Sequence, residues 1–250
     1  MKKYIFILAL TSFYSFKSFG QIDKLISNIP KNAIGKTGIS NDQAVSALKE
    51  ALSIGTDTAV SLLSKADGFY KDETVKILLP PEAQKMSANI SKVPGGKEMM
   101  DRTLITLNRA AEDASKEAAP IIKSAIVNMS VTDGLKIVTG ADFAATSYLK
   151  DKTYTPLKNA FSPKIKASLS KPLVFGISAE DSYKDLVNTY NKASLNGMLF
   201  EKITTNSLTE HVTTKGLDGL FLKVAMQEKK IRRDPIAQVT NLLKSVFGHK

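Results

Sequence analysis

From residue 40 onward, apolar residues recur along most of the chain at helical spacing. Ser40 has Gln43 three residues on, and then Ala44, Leu48, Leu52, Gly55, Ala59, Leu62 and Ala66 follow at intervals of three and four. That pattern predicts a long amphipathic helix opened by a capping box. Gly55 falls on the apolar stripe, where it either admits a neighbouring helix closely or breaks the run. Met100, Leu104, Leu107, Ala111, Ala114, Ala118, Ile121, Ala125 and Met129 predict a second long helix, kinked or divided at Pro120. Between the two, the pattern is lost. Residues 74–79 fit one short strand, stopped by Pro80-Pro81, and Pro94-Gly95-Gly96 marks a turn.

The stretch 127–169 holds three helix starts in succession: Ser130 with Asp133, Thr139 with Asp142, and Thr155 followed by Pro156. A hydroxyl accepts from first-turn N–H groups, an acid suits the dipole there, and a first-position proline loses only an unpartnered donor. With Gly140, Lys150 and Lys152 as stops, three short helices are predicted. Their inward residues are Leu135, Val138, Phe143, Tyr148, Leu157, Phe161 and Ile165. Ser178 with Asp181 opens another helix, turning Tyr183, Leu186, Val187 and Tyr190 inward, and Ser207 with Glu210 opens a brief one. A last long helix carries Leu217, Phe221, Val224, Glu228 and Ile231 on one stripe. Asp234-Pro235 then starts a final helix whose Ile236, Val239, Leu243, Val246 and Phe247 close the core. The fold class is therefore all-α, a single-domain compact bundle of long and short helices over residues 40–250. Residues 21–39, with Pro30, Gly35 and Gly38, read as a loosely ordered leader.

Residues 1–20 have the form of a signal peptide: Lys2-Lys3, an apolar run from Tyr4 to Tyr14, and Ser18-Phe19-Gly20 at the cleavage site. Cleavage near Gly20 would export the chain, with mature protein beginning at Gln21. The chain has no cysteine. Export without disulfides fits a bacterial periplasm.

Absence of cysteine also excludes thiol catalysis and cysteine metal sites, and with only His211 and His249 no metal set at ligand spacing is present. There is no nucleophile elbow or phosphate loop, and no cofactor is expected. The formal net charge is +11. The surplus gathers in Lys150, Lys152, Lys158, Lys164, Lys166 and Lys171 and again in Lys229, Lys230, Arg232 and Arg233. Such blocks suit a weak association with an anionic membrane surface or polyanion. Aromatic residues do not interleave with them, so specific nucleic-acid binding is not expected. The carboxylates Glu112, Asp133, Asp142, Glu228 and Asp234 remain for acid–base chemistry, although caps and first-turn acids account for three of them. Glu228 stands on an apolar stripe with Arg232 four residues on, as a buried ion pair would.

With these residues in view, the chain resembles domain-of-unknown-function family 4197. The likeness is carried by Asn108-Arg109-Ala110-Ala111-Glu112, by Met129 with Asp133, and by Gly140 through Ala144-Ala145-Thr146-x-Tyr148. It continues through Thr153, Glu228-x-x-Ile231-Arg232-x-Asp234-Pro235 and Leu243-Lys244-x-Val246-Phe247-Gly248. The resemblance implies an exported, mostly helical protein and no particular activity. The candidate binding residues, or members of a buried polar network, are Asn108, Arg109, Glu112, Asp133, Thr146, Tyr148, Glu228, Arg232 and Asp234. A non-enzymatic binding or structural role in the bacterial envelope is the favoured reading. The alternative is a hydrolase using Glu112 or Glu228.

Overall fold

The apolar stripes fold as helices and leave the irregular stretch between the first two without regular structure. A computed structural model describes residues 40–81, 83, 84, 96–172, 176–193, 195, 198, 202, 204, 207–238 and 241–247. The signal segment, the leader, the turn at Pro94-Gly95 and Val239 lie outside them, as do the side chains of Leu186 and Tyr190. The helices are α1 (Asn41–Ser64), α2 (Gly96–Ser115), α3 (Ala118–Val127), α4 (Val131–Val138) and α5 (Ala144–Leu169). They continue with α6 (Ala179–Ala193), α7 (Leu208–Arg233), a 3-10 turn at Pro235–Ala237 and α8 (Asn241–Phe247). Among the described residues there is no strand, and no helix is long and apolar enough to cross a membrane. The fold is all-α.

The centre is α5 against α7, with α1, α2 and α3 packed around them. The two run antiparallel, since Thr146 meets Glu228 at one end and Lys158 meets Glu210 at the other. On α5, Leu149, Leu157, Phe161, Ile165 and Leu169 are wholly buried. Burying these five side chains contributes on the order of 10 kcal/mol before conformational entropy is counted. Gly55 does not break α1. A Cβ there would stand 3.3 Å from Gln227 Cβ, so the missing side chain is what lets α7 lie close. Gly219 plays the same part on the other side, where a Cβ would fall 2.8 Å from the Phe69 ring.

Several expectations are corrected. Helix α5 is one helix, not two: Thr155-Pro156 starts nothing, and Pro156 and Pro163 both lie inside it. Each proline leaves the carbonyl four residues back without its helical donor, and the residues that carry those carbonyls, Lys152 and Asn159, are on the exposed face. Thr139 caps no helix, because its hydroxyl donates back to Leu135 O at 3.0 Å. Likewise Ser207 makes no side-chain cap, and the brief helix expected there is the first turn of α7, running on through Thr213-Thr214. Residues 74–79 form no strand, for a reason given below. Several side chains also face the other way. Phe143 and Leu62 are exposed, Leu63 taking the buried place on α1, and Ile236 is 87% exposed on the 3-10 turn that replaces the start of the final helix. Pro120 sits in the first turn of α3, and the long second helix divides at Lys116-Glu117.

Candidate functional site

Glu228 and Arg232, each 5% exposed, form a two-ended clamp on the corner between α4 and α5. Phe143 precedes α5 and offers no side-chain cap. The carboxylate supplies one from 83 residues away: Oε1 accepts from the Ala145 N–H at 3.0 Å. Oε2 accepts from the Thr146 N–H at 2.8 Å and from the Thr146 hydroxyl at 2.7 Å. Arg232 Nε donates to Glu228 Oε1 at 3.0 Å, and its Nη2 donates to Ile137 O at 2.9 Å. One ion pair thus puts negative charge at a helix N-terminus and positive charge at the C-terminus before it, both signs favourable. The four acceptor positions of the carboxylate are all taken. Beside the pair is an apolar-lined void of about 20 Å³, room for no ligand.

Asn108, Arg109 and Glu112 form a second, separate cluster on α2, and it holds residues 67–79. Glu112 Oε1 accepts from the Phe69 and Tyr70 N–H groups at 3.1 and 3.3 Å. Its Oε2 accepts from Arg109 at 2.6 Å, and Arg109 also reaches Asp67 at 2.6 Å. Asp67 has φ +67°, the left-handed turn at which the chain leaves α1. Asn108 accepts from the Ile77 N–H at 2.8 Å and donates to Ile77 O at 2.9 Å. A side-chain amide has therefore taken both backbone groups that a partner strand would pair, and the segment stays single.

Two further side chains pin the same segment. Lys223, 7% exposed, donates to Asp72 and to the Thr74 hydroxyl. His211 Nε2 lies 2.9 Å from Leu78 O, and because a carbonyl only accepts, that nitrogen carries a proton. Burial pushes the Asp72 carboxyl up, but Lys223 and Thr74 outweigh it and hold the group below its ordinary range. A depressed carboxylate stabilises the fold above its unfolded value, near about pH 3.9, and that contribution is lost as pH falls through the folded value. The thermal midpoint should therefore drop as the solution is taken below about pH 4. Asp72→Asn should remove part of that slope, which melts followed by circular dichroism across a pH series would detect.

The other candidates sit in local structure. Ser130 accepts from the Asp133 N–H at 3.1 Å and donates to the Asp133 carboxylate at 2.8 Å, a side-chain N-cap for α4. Asp234 accepts from the Ile236 N–H at 2.9 Å. Tyr148 is half-buried, and burial together with the Asp133 carboxylate pushes its phenol up. The basic stretch of α5 is met by acids from neighbouring elements: Lys164 by Glu117 at 2.7 Å and Lys150 by Asp218 at 4.0 Å. Arg233 pairs with Asp142.

Open space lies elsewhere. A groove of about 600 Å³ runs between α5, α6 and the first turn of α7, lined by Lys158, Ser162, Lys166, Glu180, Lys184, Asn188, Ser207, Thr209, Glu210 and Thr213. Its floor is set by Glu180, buried, whose Oε2 accepts from the Thr209 N–H at 3.1 Å and hydroxyl at 3.2 Å. Among the described residues no group of three His, Cys, Asp or Glu side chains is placed to hold a metal ion.

The sequence model of the family described as protein of unknown function DUF4197 matches residues 38–248. The chain belongs to that family. Comparison with curated proteins and with solved structures returned no match. In this DUF4197 protein the matched region takes in both clamps and the groove. Glu180 and Lys223 were not picked out by sequence reasoning. Glu180 carried a signal, since Asp181 alone completes the N-cap with Ser178 and leaves the adjacent acid surplus. Lys223 carried none, because the partners that bury it lie some 150 residues earlier.

Proposed function

We propose that this DUF4197 protein is an exported, non-catalytic binding protein of the bacterial envelope, with the α5–α6–α7 groove as its ligand seat. The carrying observation is where the polar groups are spent. Glu112 and Glu228, the carboxylates a hydrolase would use, are buried and bonded to backbone N–H groups and arginines. A general base needs a free lone pair within reach of its substrate. Lys166, Lys184, Asn188 and Glu210, by contrast, are exposed on a groove of a size that suits a small ligand.

Export is supported by the Lys2-Lys3, apolar-run and Ser18-Phe19-Gly20 series and by the lack of cysteine. Native mass spectrometry of protein released from the periplasm tests both parts. The expected species begins at or near Gln21 and carries a retained small molecule that denaturation releases. A stable species beginning at Met1 would overturn export. Bare mature protein, unchanged in mass after incubation with periplasmic extract, would overturn the binding reading.

A further inference from the structure

We infer that the groove takes a small hydroxylated anion, the chemical class of sugar acids and sugar phosphates. This deepens the binding reading above and rests on it. Lys158, Ser162 and Lys166 recur every four residues on α5 and so form one row about 12 Å long. Lys184 and Asn188, also four apart, form a second row on α6. Among the described residues every lining side chain carries a polar group, so the space offers a ligand hydrogen-bond and charge partners throughout.

Two of the ammonium groups are held only by long ion pairs. Lys158 stands 3.6 Å from Glu210 and Lys184 stands 3.8 Å from Glu180, both beyond hydrogen-bond distance. Elsewhere on α5 the Lys164–Glu117 pair closes to 2.7 Å. Among the described residues Lys166 has no carboxylate partner. Three cations from two helices thus line one groove, Lys158 and Lys184 each in a long ion pair and Lys166 with no carboxylate partner among the described residues. Glu210 and Glu180 at the rim and floor repel a bare anion but accept from hydroxyl groups. A ligand that satisfies both halves carries a carboxylate or phosphate together with several hydroxyls.

The test is titration calorimetry on the mature protein with four probes: glucuronate, glucose 6-phosphate, glucose and inorganic phosphate. One or both acidic sugars should bind and glucose should not, and which acidic sugar binds tells carboxylate from phosphate. Inorganic phosphate should bind more weakly than either. Affinity should fall steeply between 0.1 M and 1 M salt, as the Debye length shrinks from about 10 to about 3 Å. Lys166→Ala and Lys184→Ala should each weaken binding by about fivefold, and Lys166→Arg should retain it. Both lysines are exposed, so these variants should keep the parent's thermal midpoint. No heat with either acidic sugar, equal binding of glucose, phosphate binding as tight as glucose 6-phosphate, or indifference to both lysine substitutions would each overturn the inference. If native mass spectrometry shows a retained neutral or lipid molecule while the acidic sugars fail, the ligand class falls and the binding reading stands.

Discussion

Arg232→Ala is expected to destabilise the folded chain by about 3–5 kcal/mol, the range for removing one partner of a buried pair. The physical reason is twofold. Glu228 would stay buried at the start of α5 with its charge no longer countered, and the carbonyls of Ile137 and Val138 would lose the guanidinium donor. For a domain of this size each kcal/mol lowers the melting temperature by roughly 2–4 °C, so the fall is easily measured. Arg232→Lys should recover only part of the loss, since one ammonium does not reproduce a guanidinium that spans two helix ends. Arg233→Ala serves as the contrast. Its pair with Asp142 is largely exposed and contributes at most about 1 kcal/mol. A denaturation midpoint for Arg232→Ala equal to the parent's would refute the clamp.

Glu112→Ala should cost about 3 kcal/mol by a different route. The deleted carboxylate leaves the Phe69 and Tyr70 N–H groups without an acceptor, and each buried unsatisfied group costs about 1–3 kcal/mol. Arg109 is half-exposed and can turn to water, so it adds little. Phe69 itself is wholly buried against α7, and loosening its backbone loosens that packing. Glu112→Gln keeps one acceptor oxygen and should fall between the two. Hydrogen exchange gives the local readout: the Phe69 and Tyr70 amides should exchange far earlier in Glu112→Ala, with Leu149 on α5 changing only as global stability does. Unchanged protection at residues 69 and 70 would count against the role given to Glu112.

Elements written in local chemistry were legible in the sequence, and elements decided by distant partners were not. Ser130 with Asp133 and Ser178 with Asp181 need only neighbours three residues away, and both caps form. Thr155-Pro156 carries an equally good local signal, yet α5 runs through it. Burial of Leu149, Leu157 and Phe161 on one face outweighs a missing hydrogen bond on the wet face. Residues 74–79 had strand-like composition, but Asn108 occupies the Ile77 backbone. Glu228 and Arg232 were readable as a pair because both lie on one helix. Their targets, Ala145, Thr146 and Ile137, were not, since nothing in the spacing of residues 137–146 announces a cap supplied from 82 or more residues away. The groove escaped notice because its two rows belong to different helices, and only the α5 row stood out, as part of a basic block.

The clamps also impose an order of events. The N-terminus of α5, the C-terminus of α4 and the segment 72–78 all receive polar partners from α7, across sequence separations of 82 to 151 residues. A chain synthesised amino end first therefore presents its unmet donors and acceptors before the helix that meets them has emerged. Until then the early segments can collapse but cannot lock. Arrival of α7 closes three corners at once, so the earlier elements lock together in one step rather than one by one.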